Sequence, residues 1–224
     1  MQITVTEVGL RDGLQNEAEF FPTDKKIALA NRLIDAGVRR LEATSFVSPK
    51  AVPQLADAEE LVSGLNRTEG LVVEALAPNE RGGTPAAAVG VDVWVAFMSV
   101  SEQHSLANSN SSVAQAFDRI RPLPALAAES GAVVSGALAV AFDCPFEGPT
   151  PIDKVVNIAT QFREIGVSSL KIGDTIGTAS PTRVRRANDC LVCHTGGSYA
   201  SNQLFNPASR FCAVLSQGCV TTWC

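Results

Sequence analysis

Apolar and polar positions alternate at the start of the chain and then recur at helical spacing, and this change of period repeats along the sequence. Residues Ile3 to Val8 alternate, which is typical of a half-buried strand. Thr23 and Asp24 can cap a helix whose apolar positions recur through residues 27–34, and Gly37 follows as a helix terminator. The first unit is therefore predicted to be a strand followed by a helix.

The same alternation of periods predicts further elements of both kinds. Five more strands are predicted at Arg39–Ala43, Leu71–Leu76, Val91–Met98, Val133–Phe142 and Ser168–Ile172. Helices are predicted at Pro53–Leu65, Pro85–Val89, Ser112–Ser130 and Ile152–Ile165, and one more begins at Pro181. Pro122 and Pro124 predict a kink or a break within the helix at 112–130, because proline removes a backbone donor.

Six successive strand–helix units imply a parallel sheet, because parallel strands need crossover connections. An open doubly wound sheet and a closed eight-stranded barrel both satisfy this pattern. Polar, reactive residue types follow the strands, at Glu7, Arg11, Asp12, Glu42, Ser45, Glu74, Asp143, Asp174 and Thr175. A barrel gathers such residues on one rim, so we predict an α/β fold of the TIM (β/α)8 type, with six units in place.

The composition changes near Ala187. Residues 188–224 contain five of the six cysteines, and Asp189 and Arg210 are their only charged residues. We therefore expect a truncated barrel domain at 1–187 and a tail at 188–224 that is irregular or loosely docked. A frameshift, an alternatively spliced ending or an assembly error would each produce such a change. Six strands leave one edge of the first strand and one edge of the sixth unpaired unless the tail supplies two more strands.

Composition and charge narrow the classes of partner. The 224 residues are 46% hydrophobic and 18% charged, which is ample for a folded core. The net charge of −5 argues against nucleic acid as a partner, because an acidic surface repels phosphates. No apolar run of about 18 residues occurs, so no membrane span is expected. The first residues lack a basic leader pattern, so we expect a cytoplasmic protein without a disulfide framework.

Two segments carry residues that could bind a ligand or take part in catalysis at the rim of the predicted barrel. In EVGLRDGLQNE, Arg11 and Asp12 can bind an anionic oxygen and a hard divalent cation, or they can form an Arg–Asp pair that holds a loop. In LEATSFVSPK, Glu42 lies among apolar and small residues. A carboxyl group in that position has a raised pKa or a cationic partner, and the alternative to an acid–base role is a structural pair with Arg11.

These two segments, together with DCPFEG at 143–148 and GDTIG at 173–177, closely resemble the 3-hydroxy-3-methylglutaryl-CoA lyase family. The resemblance extends from about residue 2 to residue 186, and the four motifs occur in the order of the family. It implies a metal-dependent TIM barrel that cleaves 3-hydroxy-3-methylglutaryl-CoA to acetyl-CoA and acetoacetate. It also implies an acyl-CoA as the small-molecule partner, a homo-oligomer, and a role in leucine degradation and ketone-body metabolism.

The resemblance further implies roles for individual residues. Arg11 matches the arginine that binds the substrate and stabilises the enolate, and Asp12 matches a ligand of Mg²⁺ or Mn²⁺. Glu42 matches a residue implicated in catalysis. Polar positions that line the same cavity correspond to Gln15, Ser45 and Asp174. A hard cation and a guanidinium would both stabilise the negative charge that develops during a retro-Claisen cleavage.

The chain departs from the family after Arg186. The His-x-His-Asp element, the Gly-Gly-Cys-Pro loop and the further asparagine ligand of the family do not occur, and Lys171 replaces a small polar residue. We therefore expect impaired activity. The alternatives are a catalytically dead barrel fragment or a related lyase or aldolase for another 3-hydroxyacyl-CoA. The C-x-x-C-H sequence at 190–194 is interpreted as a chance match rather than a haem or zinc site, and His104 as a polar rim residue.

Overall fold

The computed structural model describes residues 4–195, 200–205 and 212–216. Ten strands are present in this part of the chain. They are β1 (Val5–Glu7), β2 (Arg40–Ser45), β3 (Val72–Leu76), β4 (Val93–Ser99), β5 (Val133–Ala139), β6 (Asp143–Cys144), β7 (Gly148–Pro149), β8 (Ser169–Asp174), β9 (Ala200–Phe205) and β10 (Cys212–Ser216). β6 and β7 form a small separate hairpin, and the other eight strands form one sheet.

Eight α-helices connect these strands. They are α1 (Thr23–Asp35), α2 (Ala58–Ser63), α3 (Glu80–Ala88), α4 (Glu102–Ser109), α5 (Val113–Ile120), α6 (Leu123–Glu129), α7 (Ile152–Glu164) and α8 (Pro181–Thr195). α5 and α6 replace the single long helix predicted at 112–130, and the predicted break at Pro122 is confirmed. Among the described residues, no helix is long and apolar enough to cross a membrane.

The main sheet closes into a barrel in the order β1-β2-β3-β4-β5-β8-β9-β10. Seven of these strands, β1 to β5, β8 and β9, run in the same direction. The eighth, β10, runs antiparallel to both of its neighbours, β9 and β1. Only residues 206–211 separate β9 from β10. Such a connection is too short for a helical crossover, so the last strand returns as a hairpin partner.

The predicted α/β fold with six parallel strands of the TIM type is confirmed. The expectation of an irregular tail is wrong for residues 200–205 and 212–216, which form the two strands that neighbour β8 and β1. The physical reason is that β1 and β8 would otherwise expose unpaired backbone groups. The change of composition near Ala187 falls inside α8 rather than at a boundary between elements.

Side chains alternate between the two faces of the barrel wall. In β2, Leu41 and Ala43 belong to the apolar cluster that packs against the helices, and Glu42 lies between them on the opposite face. Glu74 in β3 and Lys171 in β8 occupy the same alternate positions and are also buried. The barrel interior therefore carries charged groups, whereas the layer between sheet and helices is apolar.

Two glycines allow the helices to approach the sheet closely. A Cβ atom at Gly136 in β5 would lie 2.3 Å from the Phe162 ring of α7. A Cβ atom at Gly83 in α3 would lie 2.6 Å from the buried Trp94 ring of β4. Both rings thus fill space that a larger residue would occupy, and the helical layer is packed directly against the strands.

Val140 ends β5 in an unusual backbone conformation. Its φ angle is 51°, in the left-handed region that β-branched residues rarely adopt, and its side chain is fully buried. Two threonines hold it there. The Val140 N–H donates to Thr175 Oγ1 at 2.8 Å, and the Val140 carbonyl accepts from Thr150 Oγ1 at 2.7 Å. The predicted strand at 133–142 therefore stops at Ala139, where the chain turns across the rim.

Candidate active site

A cavity of about 540 Å³ opens at the carboxyl ends of the parallel strands. Five of the predicted site residues line it together, namely Arg11, Asp12, Gln15, Ser45 and Asp174. Val95, Phe97, Met98 and Leu138 contribute apolar wall. A cavity of this size, whose lining combines polar and charged side chains with apolar ones, is suited to a small organic ligand.

Arg11 and Asp12 reach the cavity from a single turn of π-helix, Gly9–Gly13, which follows β1 directly. The turn is closed by the Asp12 N–H, which donates to the Val8 carbonyl at 2.8 Å. Leu10 in the same turn is buried, so the turn is anchored in the apolar cluster. The consecutive cationic and acidic side chains are therefore placed on a fixed piece of backbone at the rim.

The Arg11 guanidinium binds two carboxylates. Its Nη1 donates to Asp12 Oδ1 at 2.7 Å, and its Nε donates to Glu42 Oε1 at 2.5 Å. Its Nη2 also forms an ion pair with Glu42. Both structural pairs considered from the sequence, Arg11 with Asp12 and Arg11 with Glu42, are thus present. The guanidinium is held from two sides while it lines the cavity.

Glu42 lies beneath the cavity and is shared between two cations. Lys171 Nζ donates to Glu42 Oε2 at 2.8 Å and to Glu74 Oε2 at 2.5 Å. Arg40 binds the other oxygen of Glu74. A continuous chain of alternating charge therefore runs from the rim into the barrel. We call this chain the interior ladder, and its members in order are Asp12, Arg11, Glu42, Lys171, Glu74 and Arg40.

The interior ladder fixes the protonation of its central groups. Burial raises the pKa of Glu42, but the Arg11 and Lys171 charges outweigh burial and lower this pKa to about 2. Burial lowers the pKa of Lys171, and the Glu42 and Glu74 carboxylates outweigh it and raise the pKa. Glu42 is therefore a carboxylate at neutral pH, with both oxygens engaged. This arrangement suits the positioning of Arg11 better than proton transfer.

Asp12 has the opposite shift, because burial raises its pKa more than the neighbouring Arg11 lowers it. Asp12 is the residue for which the family resemblance implies a role as metal ligand. Within the described part of the chain, no group of three or more His, Cys, Asp or Glu side chains could hold a metal ion. The resemblance to the family also implies two histidines of the metal site at the end of the seventh strand of the barrel. The seventh barrel strand of this chain is β9, and its residues are Ala, Ser, Asn, Gln, Leu and Phe, without a histidine. The donors described here therefore do not fit the metal site that the family resemblance implies.

Ser45 and Asp174 lie at the ends of β2 and β8. Among the described residues, the buried Ser45 Oγ has no hydrogen-bond partner. An unpaired buried hydroxyl is costly, so Ser45 is available to a ligand in the cavity. The Asp174 carboxylate instead accepts from the backbone N–H groups of Thr178 at 3.1 Å and Ala179 at 3.0 Å. Asp174 therefore shapes the turn after β8 as well as the cavity wall.

His104 also lines the cavity, and it lies in the first turn of α4. Its Nδ1 lies 2.7 Å from Ser99 Oγ, and its backbone N–H donates to the Ser101 hydroxyl that caps the helix. Burial lowers the pKa of His104, which favours the neutral imidazole near pH 7. His104 is thus a rim residue, as predicted, and is placed to contact a bound ligand.

Sequence reasoning misses the contacts of Lys171, which stands where the family has a small polar residue. A usable signal exists in the strand Ser169–Asp174. Leu170 and Ile172 are apolar and must face the helices, so the alternation directs Lys171 into the barrel. A lysine in that position requires carboxylate partners, and the strands around the barrel carry two, Glu42 and Glu74.

Comparison with known proteins gives a consistent match. The HMGL-like family matches residues 2–195. The chain is similar to the hydroxymethylglutaryl-CoA lyase of Bacillus subtilis, with 36% identity over 203 residues, which cover 91% of this chain and 67% of that protein. It spans a smaller share of other relatives of the same name, 39% of the mitochondrial protein of Arabidopsis thaliana and 55% of that of Mus musculus.

Solved structures of proteins named HMG-CoA lyase are also similar to this chain. The Bacillus subtilis HMG-CoA lyase has a TM-score of 0.89 at 34% identity, with 93% of this chain and 70% of that chain covered. An HMG-CoA lyase from Acinetobacter baumannii, in complex with coenzyme A and 3-methylmalate, has a TM-score of 0.84 at 33% identity. That match covers 89% of this chain and 65% of the other.

Proposed function

The chain belongs to the HMGL-like family, and on that premise we propose that its cavity binds a 3-hydroxyacyl-CoA thioester for carbon–carbon cleavage. The proposed substrate is 3-hydroxy-3-methylglutaryl-CoA, and the proposed products are acetyl-CoA and acetoacetate. The observation that carries this proposal is the placement of the Arg11 guanidinium at the cavity by Glu42 and Asp12. A similar protein that binds coenzyme A and 3-methylmalate supports the ligand class.

The reaction requires the loss of a proton from the tertiary hydroxyl of the substrate. The oxygen then forms a carbonyl, the adjacent carbon–carbon bond breaks, and its electron pair passes to the acetyl-CoA fragment as an enolate. A proton added to that enolate completes acetyl-CoA. Arg11 can donate hydrogen bonds to an anionic oxygen of this sequence, and preorganised donors of this kind stabilise developing charge. Ser45 can donate or accept at the same wall.

Proton transfer requires a group that can change its charge near neutral pH. Glu42 is held as a carboxylate by two cations, so the proposal gives it the positioning of Arg11. His104 has a neutral ring in the cavity wall and is the candidate for the proton acceptor. The resemblance to the family also implies a divalent metal, but because the described donors do not complete its site, we assign no step to it.

Slow turnover is part of the proposal. Hydroxymethylglutaryl-CoA should bind, while acetoacetate should form at a rate near background in the presence of Mg²⁺ or Mn²⁺ and a thiol reductant. Calorimetry for binding and a coupled acetoacetate assay would test the two statements separately. Acetoacetate formation on the order of 1 per second or faster would contradict the slow turnover, because that rate is typical of complete enzymes. Failure to bind the thioester would contradict the proposed function itself.

A barrel that binds the thioester without cleaving it is the second candidate. The observation that favours it is the incomplete set of metal donors among the described residues. A slow enzyme would form acetoacetate measurably faster than a control without protein, whereas a binding protein would give a normal isotherm and no acetoacetate above that control at any metal concentration. We further propose that the protein is a cytoplasmic homo-oligomer. The proposed location is supported by a Danio rerio relative at 37% identity, whose name describes it as cytoplasmic. Cell fractionation and sedimentation velocity would test location and assembly.

A further inference from the structure

Lys171 connects two opposite walls of the barrel. It lies on β8, and its partners Glu42 and Glu74 lie on β2 and β3. β8 and β2 are separated by four steps around the eight-stranded sheet in either direction. The ammonium group therefore crosses the barrel interior, where Lys171 is only 3% exposed.

The two oxygens of Glu42 have different partners because of this crossing. Oε2 accepts from Lys171, and Oε1 accepts from Arg11. A carboxylate without the lysine would present both oxygens to the guanidinium, which favours a two-point contact. Lys171 therefore limits how far Arg11 is drawn toward the barrel interior.

We infer that Lys171 is a positioning residue of the cavity, which acts through Glu42 to hold the Arg11 guanidinium at the level of the bound acyl group. The inference rests on the proposed function for the identity of the ligand. Its geometric part, the placement of Arg11 by Lys171, does not depend on that ligand. Lys171 does not line the cavity, so its effect on a ligand has to pass through Glu42 and Arg11.

The charges around Lys171 determine which variants test this inference. Lys171→Met leaves Glu42 with Arg11 and Glu74 with Arg40, and the interior ladder then lacks one positive charge. The double variant Lys171→Met/Glu74→Gln restores the balance and should fold even if the single variant does not. It still lacks the bond between Lys171 and Glu42, which is the contact under test.

Two controls separate positioning from general effects of a buried charge. Glu74→Gln alone removes one ladder carboxylate but keeps the bond between Lys171 and Glu42. Lys26→Met removes a second fully buried lysine, whose partners are Asp57 and the Gln54 carbonyl, away from the cavity. Neither control changes a direct partner of Arg11.

The first readout is the Nε–H resonance of Arg11 in a nitrogen–proton correlation spectrum, assigned by its loss in Arg11→Lys. The resonance should shift in both Lys171 variants and stay in place in both controls. The second readout is calorimetric affinity for hydroxymethylglutaryl-CoA and for coenzyme A, which lacks the acyl group. The Lys171 variants should bind the thioester about tenfold more weakly, a change of about 1.4 kcal/mol, while their affinity for coenzyme A stays unchanged.

The outcomes distinguish the inference from the proposed function. An unshifted Arg11 resonance in the double variant overturns the inference, whatever the ligand does. Equal loss of affinity for the thioester and for coenzyme A also overturns it, because the effect would then be general. If the unmodified protein binds the thioester no better than coenzyme A, the proposed function fails, and the resonance alone decides whether Lys171 positions Arg11.

Discussion

Two lysines of this protein are buried, and they lie in different layers of the fold. Lys26 on α1 binds both oxygens of Asp57 and the Gln54 carbonyl, so it joins a helix to the neighbouring loop outside the barrel wall. Lys171 instead lies inside the wall and binds two carboxylates from the opposite side. Both lysines are fully paired. Although both lysines are buried, Lys171 contacts Glu42, a partner of the cavity residue Arg11, whereas Lys26 lies away from the cavity.

The largest expected effect is on stability. Lys171→Met should reduce the free energy of unfolding by about 3–5 kcal/mol, because it leaves two buried carboxylates that share one fewer cation. Urea denaturation at pH 7, followed by circular dichroism, measures the change. Lys26→Met leaves only Asp57 without its cation, so its loss should be smaller. A larger loss for Lys26→Met would contradict the view that the interior ladder is the more tightly coupled of the two sites.

The second-largest effect is expected on the affinity for the proposed ligand. Arg11→Gln should weaken binding of hydroxymethylglutaryl-CoA by about tenfold to a hundredfold, which corresponds to about 1.4 to 2.8 kcal/mol, because the cavity loses a charged donor. Isothermal titration calorimetry gives the affinities. Lys26→Met serves as the control and should bind like the unmodified protein. Equal affinities for Arg11→Gln and the unmodified protein would remove Arg11 from the proposed site.

A third effect appears as a dependence on pH. The pKa of Glu42 is lowered from 4.5 to about 2 in the folded protein, so ionised Glu42 stabilises the fold above pH 4.5. This contribution is lost as the pH falls from about 4.5 toward 2. Glu42→Gln should therefore show a shallower loss of stability across that window than the unmodified protein.

Urea midpoints at several pH values between 2 and 7 test this expectation. Asp143 also has a lowered pKa, because its hydrogen bond from Arg183 favours the carboxylate, but it is present in both proteins. The difference between the two curves therefore reports Glu42 together with its effect on the pKa of Asp12, which the Glu42 charge raises. Parallel curves would show that Glu42 has no more interaction with its cations than an exposed carboxylate.

The smallest effect is expected at the surface. Arg121 and Asp118 form an ion pair at 3.1 Å with side chains that are 59% and 68% exposed. Asp118→Asn, which keeps the contact of Arg121 with the Phe117 ring, should change the free energy of unfolding by less than about 0.5 kcal/mol, because solvent screens such pairs. Differential scanning calorimetry would detect a change larger than this limit. A loss comparable with that of Lys26→Met would mean that exposure does not separate these pairs.

Much of the fold could be predicted because one side of each strand packs against helices. The strands at β2, β3, β4, β5 and β8 lie within a few residues of their predicted positions, since alternation is a local signal. Helix α4 was missed, although Ser101 caps it through the His104 N–H. Helix α3 begins at Glu80 rather than Pro85, because Gly82 and Gly83 obscured the helical pattern.

The gathering of the candidate residues at one cavity could be predicted from the sequence, but the contacts of Lys171 could not. Arg11, Asp12 and Ser45 line one cavity, and the consecutive or neighbouring positions of these residues already favoured such a result. The contacts of Lys171 span 97 and 129 residues of sequence, and they exist only when the barrel is closed. The antiparallel direction of β10 likewise depends on a short connection and on the open edges of two distant strands.

Val140 has a consequence for local opening of the rim. A β-branched residue in the left-handed region stores about 1–3 kcal/mol, and this strain is released when the segment detaches from the barrel. The Val140 amide should therefore exchange with solvent deuterium faster than the amides of residues 134–139 in β5, although its side chain is also buried. Val140→Gly would relieve this strain but would also remove a fully buried side chain, so it should not make the carboxyl end of β5 open more slowly.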